Sequence, residues 1–285
     1  GKPTPTLVAA AASVSSSPSD RAALEQIAAL PTPAYAEFAA QRRVMDFLVE
    51  FPFAKFDAAT LVKSLQPLNP RLYSIASAPS ASPGVVELAV ALVEYPLNGR
   101  TVRGVASSFL CEDLRPGTGL LPVFAAKGTL RLPVPESDLV MIGPGTGIAP
   151  FRAFLKEREV TQAKGRNWLF YGHRKESEDF YYKDEVLAWQ ASGLLNKLSL
   201  AWSREGAHKR YVQHLMLEHR DELWAWFEAG ATIAICGNRE HMARDVEAAL
   251  LQIAAEKGAC EASPEGASAW LKSMKASKRI QEDVY

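Results

Sequence analysis

From Asp138 onward the chain repeats a single pattern. Short, mostly apolar runs at 139–142, 168–171, 198–202 and 232–236 alternate with helical patterns at 150–158, 180–191 and 212–227, and another helical pattern follows at 241–257. The period is ~30 residues, long enough for a strand and a crossover helix but not for a hairpin. Apolar runs without strict alternation are strands buried on both faces. Buried strands alternating with helices predict an α/β fold with a doubly wound, mostly parallel sheet. In such sheets ligands bind beyond the carboxyl ends of the strands, so the residues that follow each run are the first to inspect for chemistry.

The residues before Asp138 read differently. Ala9 to Ala12, followed by Ser13 to Ser19, has the composition of a linker or a frayed helix end. Asp20 can cap a helix over 21–30. Thr32, with Pro33 at the first helical position, opens a second helix expected to run to about Glu50, and Asp57 opens a third over 58–65. Between Arg71 and Leu132 the pattern is β, with strands expected at 71–77, 85–93, 120–126 and 129–132 and a helix at 106–114. The expected division is a helical segment at 1–66, a β segment at 67–134 and a nucleotide-binding domain at 135–285.

Composition narrows the function. Lys+Arg and Asp+Glu both number 32, so the net charge is zero and nothing in the overall field favours nucleic acid or an anionic membrane. No apolar run approaches the ~20 residues of a membrane span. Gly1-Lys2-Pro3-Thr4-Pro5 lacks the layout of a secretory signal. The three cysteines, Cys111, Cys236 and Cys260, cannot all pair and have no metal-ligand spacing, so no metal site is expected and the setting reads as cytoplasmic.

The strand ends supply the candidates. Gly143-Pro144-Gly145-Thr146-Gly147 follows the first run and precedes a helix, which suits close approach of a phosphate; the alternative is a tight βα turn. Ser203-Arg204, with Lys209, Tyr211 and Gln213, gathers cations and hydroxyls after the third run. Such a set suits a dianionic phosphate, or else it is a solvated basic turn. Arg71-Leu72-Tyr73-Ser74 combines a cation, an aromatic plate and a hydroxyl, or is simply a polar strand. Gly104-Val105-Ala106-Ser107 is a second phosphate cradle or an ordinary serine cap. Cys236 ends the fourth run at the ligand edge, as a contact to the ligand or as packing.

Taken together, Arg71–Ser77, Gly104–Leu110, Gly143–Pro150, Ser203-Arg204 with Lys209–Gln213, and Cys236-Gly237 resemble the motifs of the diflavin reductases in order and spacing. Pro70–Ser77, Ser107–Leu110 and the final Asp283-Val284-Tyr285 are most similar to the flavoprotein of the NADPH–sulfite reductase branch; the resemblance runs over about residues 31–285. It implies that Arg71, Leu72, Tyr73, Ser74, Tyr95, Gly104, Val105, Ala106 and Ser107 hold FAD. It implies that Gly145, Thr146, Ser203, Arg204, Lys209, Tyr211, Gln213 and Asp245 hold NADPH. Ser74, Cys236 and Asp283 would then surround the hydride path, and Tyr285 would cover the flavin.

The same resemblance implies an FMN-binding, flavodoxin-like domain as next electron carrier and a sulfite reductase haemoprotein as final partner. It further implies that 67–134 is an incomplete antiparallel β-barrel binding FAD, that 1–66 is a partial helical connecting segment, and that neither the FMN module nor the first strands of the barrel is present in this chain. Two departures stand out: Asn238 replaces the usual Asp, and Ala89-Val90-Ala91 replaces the usual Thr-Val-Gly. Two other readings share the motifs: a reductase serving another acceptor, such as nitrate reductase or a flavodoxin, and a non-catalytic NADP-binding remnant.

Overall fold

The computed structural model describes residues 1–117, 119–261 and 263–285, and the side chain of every one of these except His241. The contacts group into two compact units, Gly1–Arg71 with Leu92–Gly119, and Leu72–Ala91 with Leu120–Tyr285.

In the first unit, α1 spans Pro5–Val14, α2 Pro18–Ala28, α3 Thr32–Ala40, α4 Val44–Glu50 and α5 Ala58–Ser64. Of the two readings of 9–19, a linker or a helix end, the second holds for 9–14, which close α1, and Pro18 and Ser19 already belong to α2. Thr4 caps α1 by accepting from the Leu7 amide at 3.1 Å. Leu7, Val8, Ala11 and Ala12 fall on one helical face and are buried with Leu24, Phe47 and Phe51. The alanine run thus lends its buried members to the close-packed side of a core helix. The helix expected to continue to Glu50 breaks at Gln41–Arg43. The Asp46 carboxylate accepts from the Arg43 amide at 2.7 Å and starts α4 afresh. Asp57 caps α5 as expected, accepting from the Thr60 amide at 2.9 Å.

The unit is completed by a hairpin, β1 (Glu94–Leu97) and β2 (Arg100–Arg103), then by α6 (Val105–Ser108) and a π-helical turn at Phe109–Asp113. Asn98 and Gly99 at the hairpin tip have φ of 50° and 74°. This is the left-handed pair that an Asn-Gly turn supplies. That dipeptide is itself a hairpin signal, yet the expected strands stop short of it.

The second unit is the doubly wound domain. Its strands are β3 (Leu139–Ile142), β4 (Asn167–His173), β5 (Lys197–Trp202), β6 (Thr232–Gly237) and β7 (Ile280–Val284). All neighbours are parallel, in the order β5-β4-β3-β6-β7. The helices are α7 (Ala149–Val160), α8 (Glu176–Asp179), α9 (Lys183–Ser192), α10 (Val212–Glu218), α11 (Arg220–Glu228), α12 (Arg244–Glu256) and α13 (Pro264–Ala276). Strand alternation sorts the core into two layers. Val140, Ile142, Trp168, Phe170, Ile233 and Ile235 pack under α10–α12. Leu139, Met141, Leu169, Tyr171, Ala234 and Cys236 pack under α7 and α9. The strand β7 and helix α13 lie outside the sequence expectation, although Ser263-Pro264 is a capping signal. Ser263 accepts from the Gly266 amide at 3.1 Å.

The antiparallel part is smaller than the barrel expected at 67–134. Of the strands expected at 71–77 and 85–93, a single bridge between Ile75 and Leu88 forms, beside a bond from the Ala76 amide to the Glu87 carbonyl at 2.8 Å. Residues 120–126 and 129–132 form no ladder; Leu120 is 97% exposed. A strand persists where a neighbouring backbone satisfies its amides and an apolar layer covers one face. Within this unit 120–126 has neither. Residues 129–132 instead lean on β7: the Thr129 hydroxyl donates to the Glu282 carbonyl at 2.5 Å, and the Arg131 amide donates to the Gln281 side chain at 2.6 Å.

Candidate functional site

The strand order reverses between β3 and β6. A crevice opens at such a switch point, beyond the strand ends. The loop after β3 holds the glycines. Gly145 adopts φ of 58°. That left-handed conformation costs a side-chain-bearing residue ~1–2 kcal/mol. At Gly147 a Cβ would overlap the Cys236 carbonyl oxygen, so this glycine lets the loop press against the end of β6. The expectation that all three glycines exist for ligand approach therefore needs narrowing: Gly147 is demanded by the fold itself.

A cleft of about 600 Å³ sits over these strand ends, lined by Gly145, His173, Arg174, Ser203, Tyr211, Gln213, Asn238 and Asp245 among others. It gathers five of the residues expected at the NADPH site: Gly145, Ser203, Tyr211, Gln213 and Asp245. Gln213 donates to Asp245 at 2.9 Å, and the Ser203 hydroxyl donates to the His173 carbonyl at 3.1 Å. Arg204 and Lys209 lie on the turn after β5 and make no side-chain hydrogen bond or ion pair with the described residues. The neighbouring cations are spent, Arg210 on Glu218 and Arg174 on Asp179. Two unneutralised cations beside a cleft are a dianion's counter-charge.

His173 and Arg174 lie outside the sequence expectation, although they follow the second apolar run at the same carboxyl edge that carries Gly145 and Ser203. Burial lowers the His173 pKa, and its Nδ1 lies 3.3 Å from the Asp179 carboxylate. It presents a neutral imidazole to the cleft.

A second cluster joins residues far apart in sequence. The Ser74 hydroxyl donates to Asp283 Oδ2 at 2.9 Å and lies 3.9 Å from the Cys236 sulfur. Cys236 and Asp283 are partners across the β6–β7 ladder, so the sheet sets their spacing. Burial, reinforced by Asp283, pushes the Cys236 thiol up to about 12. It is a neutral, polarisable contact at pH 7 rather than a thiolate nucleophile. Nearby on the same edge, the hydroxyls of Tyr285 and Thr146 hydrogen-bond at 2.7 Å, and the Tyr285 amide donates to the Gly237 carbonyl at 3.1 Å.

The residues expected to hold FAD are shared between the units. Leu72, Tyr73 and Ser74 belong to the second; Arg71, Tyr95 and Gly104 to Ser107 belong to the first. Arg71 is exposed and donates to the Asn69 carbonyl at 2.8 Å. The Tyr95 hydroxyl accepts from the Arg43 guanidinium, whose central carbon also lies 5.1 Å from the centre of the Tyr95 ring. Ser107 donates to the Gly104 carbonyl and accepts from the Val93 amide, both at 3.1 Å, and the Gly104 amide donates to the Val93 carbonyl at 2.8 Å, so these groups shape the turn and the amides of 105–107 remain for a ligand.

Comparison with known proteins follows this division. Residues 1–109 match the FAD binding domain family, and residues 141–248 the oxidoreductase NAD-binding domain family. The chain is 42% identical over 250 residues to the sulfite reductase [NADPH] flavoprotein alpha-component of Klebsiella pneumoniae, a match covering 87% of this chain and 41% of the relative. The corresponding protein of Shigella dysenteriae is 42% identical over 249 residues, again 87% and 41%. That of Yersinia pestis is 42% identical over 254 residues, covering 89% and 41%.

The chain is a homologue of these flavoproteins over 87% of its own length.

It spans about 41% of the length of the sulfite reductase flavoproteins it matches. Within that span it carries both an FAD-binding and an NAD-binding oxidoreductase domain. The exposed 120–126 segment falls between the two matched regions. Among the described residues no helix is long and apolar enough to cross a membrane, and no cluster of His, Cys, Asp or Glu is arranged to hold a metal.

Proposed function

We propose that this chain is the hydride-accepting part of an NADPH–sulfite reductase flavoprotein, taking a hydride from NADPH onto FAD and passing electrons through an FMN-binding, flavodoxin-like domain to a sulfite reductase haemoprotein. The observation that carries the reading is the Ser74–Asp283–Cys236 cluster, built at the carboxyl end of the strand that also borders the nucleotide cleft. Arg204 and Lys209 fit the adenosine 2′-phosphate, and the cleft fits the remainder of the dinucleotide. The exposed Arg71 and the amides of 105–107 fit a diphosphate, and the half-buried Tyr73 fits an isoalloxazine ring. When bound, FAD supplies the conversion of a two-electron hydride donor into single electrons.

The side chains position and shield. Ser74 offers a hydroxyl whose proton points to Asp283, so its oxygen keeps lone pairs for a donor. Asp283 fixes that rotamer. Cys236 fills the space beside it without charge. Tyr285, tied to Thr146, stands over the loop after β3 as a removable cover. The segments 1–66, 67–134 and 135–285 remain a proposed functional division, distinct from the two compact units. A cytoplasmic setting belongs to the same reading: the buried Cys236 serves it as a thiol, which a reducing compartment preserves.

The acceptor is tested by reconstitution. The FAD-loaded chain, an FMN-binding flavodoxin-like domain and the haemoprotein are mixed, and sulfide is measured with NADPH as donor. Sulfide should form only when all three proteins are present. A rate independent of the haemoprotein, with an added flavodoxin or a nitrate reductase reduced instead, would assign another acceptor.

A further inference from the structure

Arg152, in the first turn of α7 just beyond the Gly143–Gly147 loop, is 5% exposed and carries no role in the account above. Its Nε and Nη2 donate to both oxygens of Glu185 at 2.5 and 2.8 Å. Its Nη1 donates to Glu87 at 2.6 Å and to the Ala76 carbonyl at 2.8 Å. The guanidinium also lies 4.5 Å from the centre of the Tyr182 ring. Ala76 is two residues from Ser74, and its amide donates to the Glu87 carbonyl, so both ends of the 76–87 loop meet this one side chain. The planar fork is what allows three partners on different elements to be held at once; an ammonium cannot reproduce it.

We infer that Arg152 is a positioning residue: it clamps the segment bearing Ser74 to α7, and thereby holds the Ser74 hydroxyl against Asp283 and Cys236. Other contacts from residues 72–91 to α7 and the sheet include Ser80 with Glu157, Glu87 with Lys156 at 3.9 Å, and Ser74 itself with Asp283 and Cys236. The inference rests on the proposed hydride transfer for its consequence, but not for its geometry. Without the clamp the segment loses its registration, Ser74 leaves Asp283, and Cys236 is uncovered.

The test has two readouts in a Cys111→Ser, Cys260→Ser background, so that Cys236 is the remaining thiol. One is the rate at which a small maleimide labels Cys236 without cofactors. The other is the anaerobic rate of flavin reduction at saturating NADPH in the FAD-loaded chain, with the Kd for NADP+ measured alongside. Arg152→Ala should speed labelling at least tenfold and slow reduction at least tenfold, with Kd changed less than twofold. Arg152→Lys should recover part of both, and Glu87→Gln should loosen labelling in the same direction. Those milder variants carry the test if Arg152→Ala does not fold. Unchanged labelling, unchanged reduction, or a Kd weakened as much as the rate each overturns the inference. A parent chain that labels as expected but reduces no flavin contradicts the proposed function and leaves the labelling comparison to decide the clamp.

Discussion

Single side chains carry most of the discrimination this site can make. In the proposed site Arg204 meets the two candidate cofactors where they differ, at the 2′ position of the adenosine ribose. A charge-assisted contact is worth about 1.5–3 kcal/mol, or roughly ten- to a hundred-fold in affinity. Arg204→Ala should therefore weaken NADP+ by that factor in a calorimetric titration and leave NAD+ nearly unchanged; equal losses would remove Arg204 from the phosphate site. The proposed function sets Tyr285 at the other end of the dinucleotide. If nicotinamide must displace it, the displacement weighs more on the weakly anchored NADH. Tyr285→Ala should narrow the NADPH-to-NADH ratio of kcat/KM, and an unchanged ratio would mean the ring is no cover. Gly147 is a matter of space alone. A methyl there runs into the Cys236 carbonyl and forces the loop off β6. Gly147→Ala should cost at least the ~1–3 kcal/mol of overpacking, read as a lower urea midpoint. Arg204 and Gly147 were legible in the sequence because they follow apolar runs, whereas Tyr285 was legible only through the family resemblance. What Ser203 and Ser107 do was not: both hydroxyls are turned inward to backbone groups, which a motif does not reveal.

Among the elements, the parallel strands were the easiest to read and the antiparallel ones the hardest, for a physical reason. A strand buried on both faces is written in its own apolar run, as at 139–142 and 232–236. A strand in an antiparallel sheet depends on its neighbour, and the pattern at 85–93 forms only a bridge where the neighbouring backbone is met. The segment that bears Ser74 is instead held by Arg152 and its two carboxylates. Hydrogen bonding to Arg152 holds the pKa of both Glu87 and Glu185 below the ordinary value of 4.5. A depressed folded-state pKa gives stability that is present above the unfolded value and lost as pH falls through it and below. The melting temperature should fall as pH drops from 6 to 3.5, and less steeply in a Glu87→Gln, Glu185→Gln double variant relative to its own value at pH 6. Parallel curves would show that these carboxylates contribute nothing to the acid limb.

The molecule as a whole has two cores, one formed by helices of the first unit and one by the parallel sheet with its two helical layers. The proposed nucleotide site uses only residues of the second unit. NADP+ at a hundred times its Kd adds about 2.7 kcal/mol to the unit that binds it. Calorimetry should resolve two transitions, of which NADP+ raises one; a single transition raised as a whole would show that the cores unfold together. The division itself was only half legible. The change from helical to βα patterning marks the sheet domain. The membership of 72–91 depends on the contacts of Glu87 with Arg152 and of Ser74 with Asp283, pairs far apart in sequence that no local pattern announces. The most direct test of the account is anaerobic rapid mixing of the FAD-loaded chain with NADPH and, separately, NADH, following the visible flavin absorbance. The account predicts rapid bleaching by NADPH, at least tenfold slower bleaching by NADH at equal subsaturating concentration, and loss of the NADPH rate in Ser74→Ala. Flavin that stays oxidised while NADPH is demonstrably bound would contradict it.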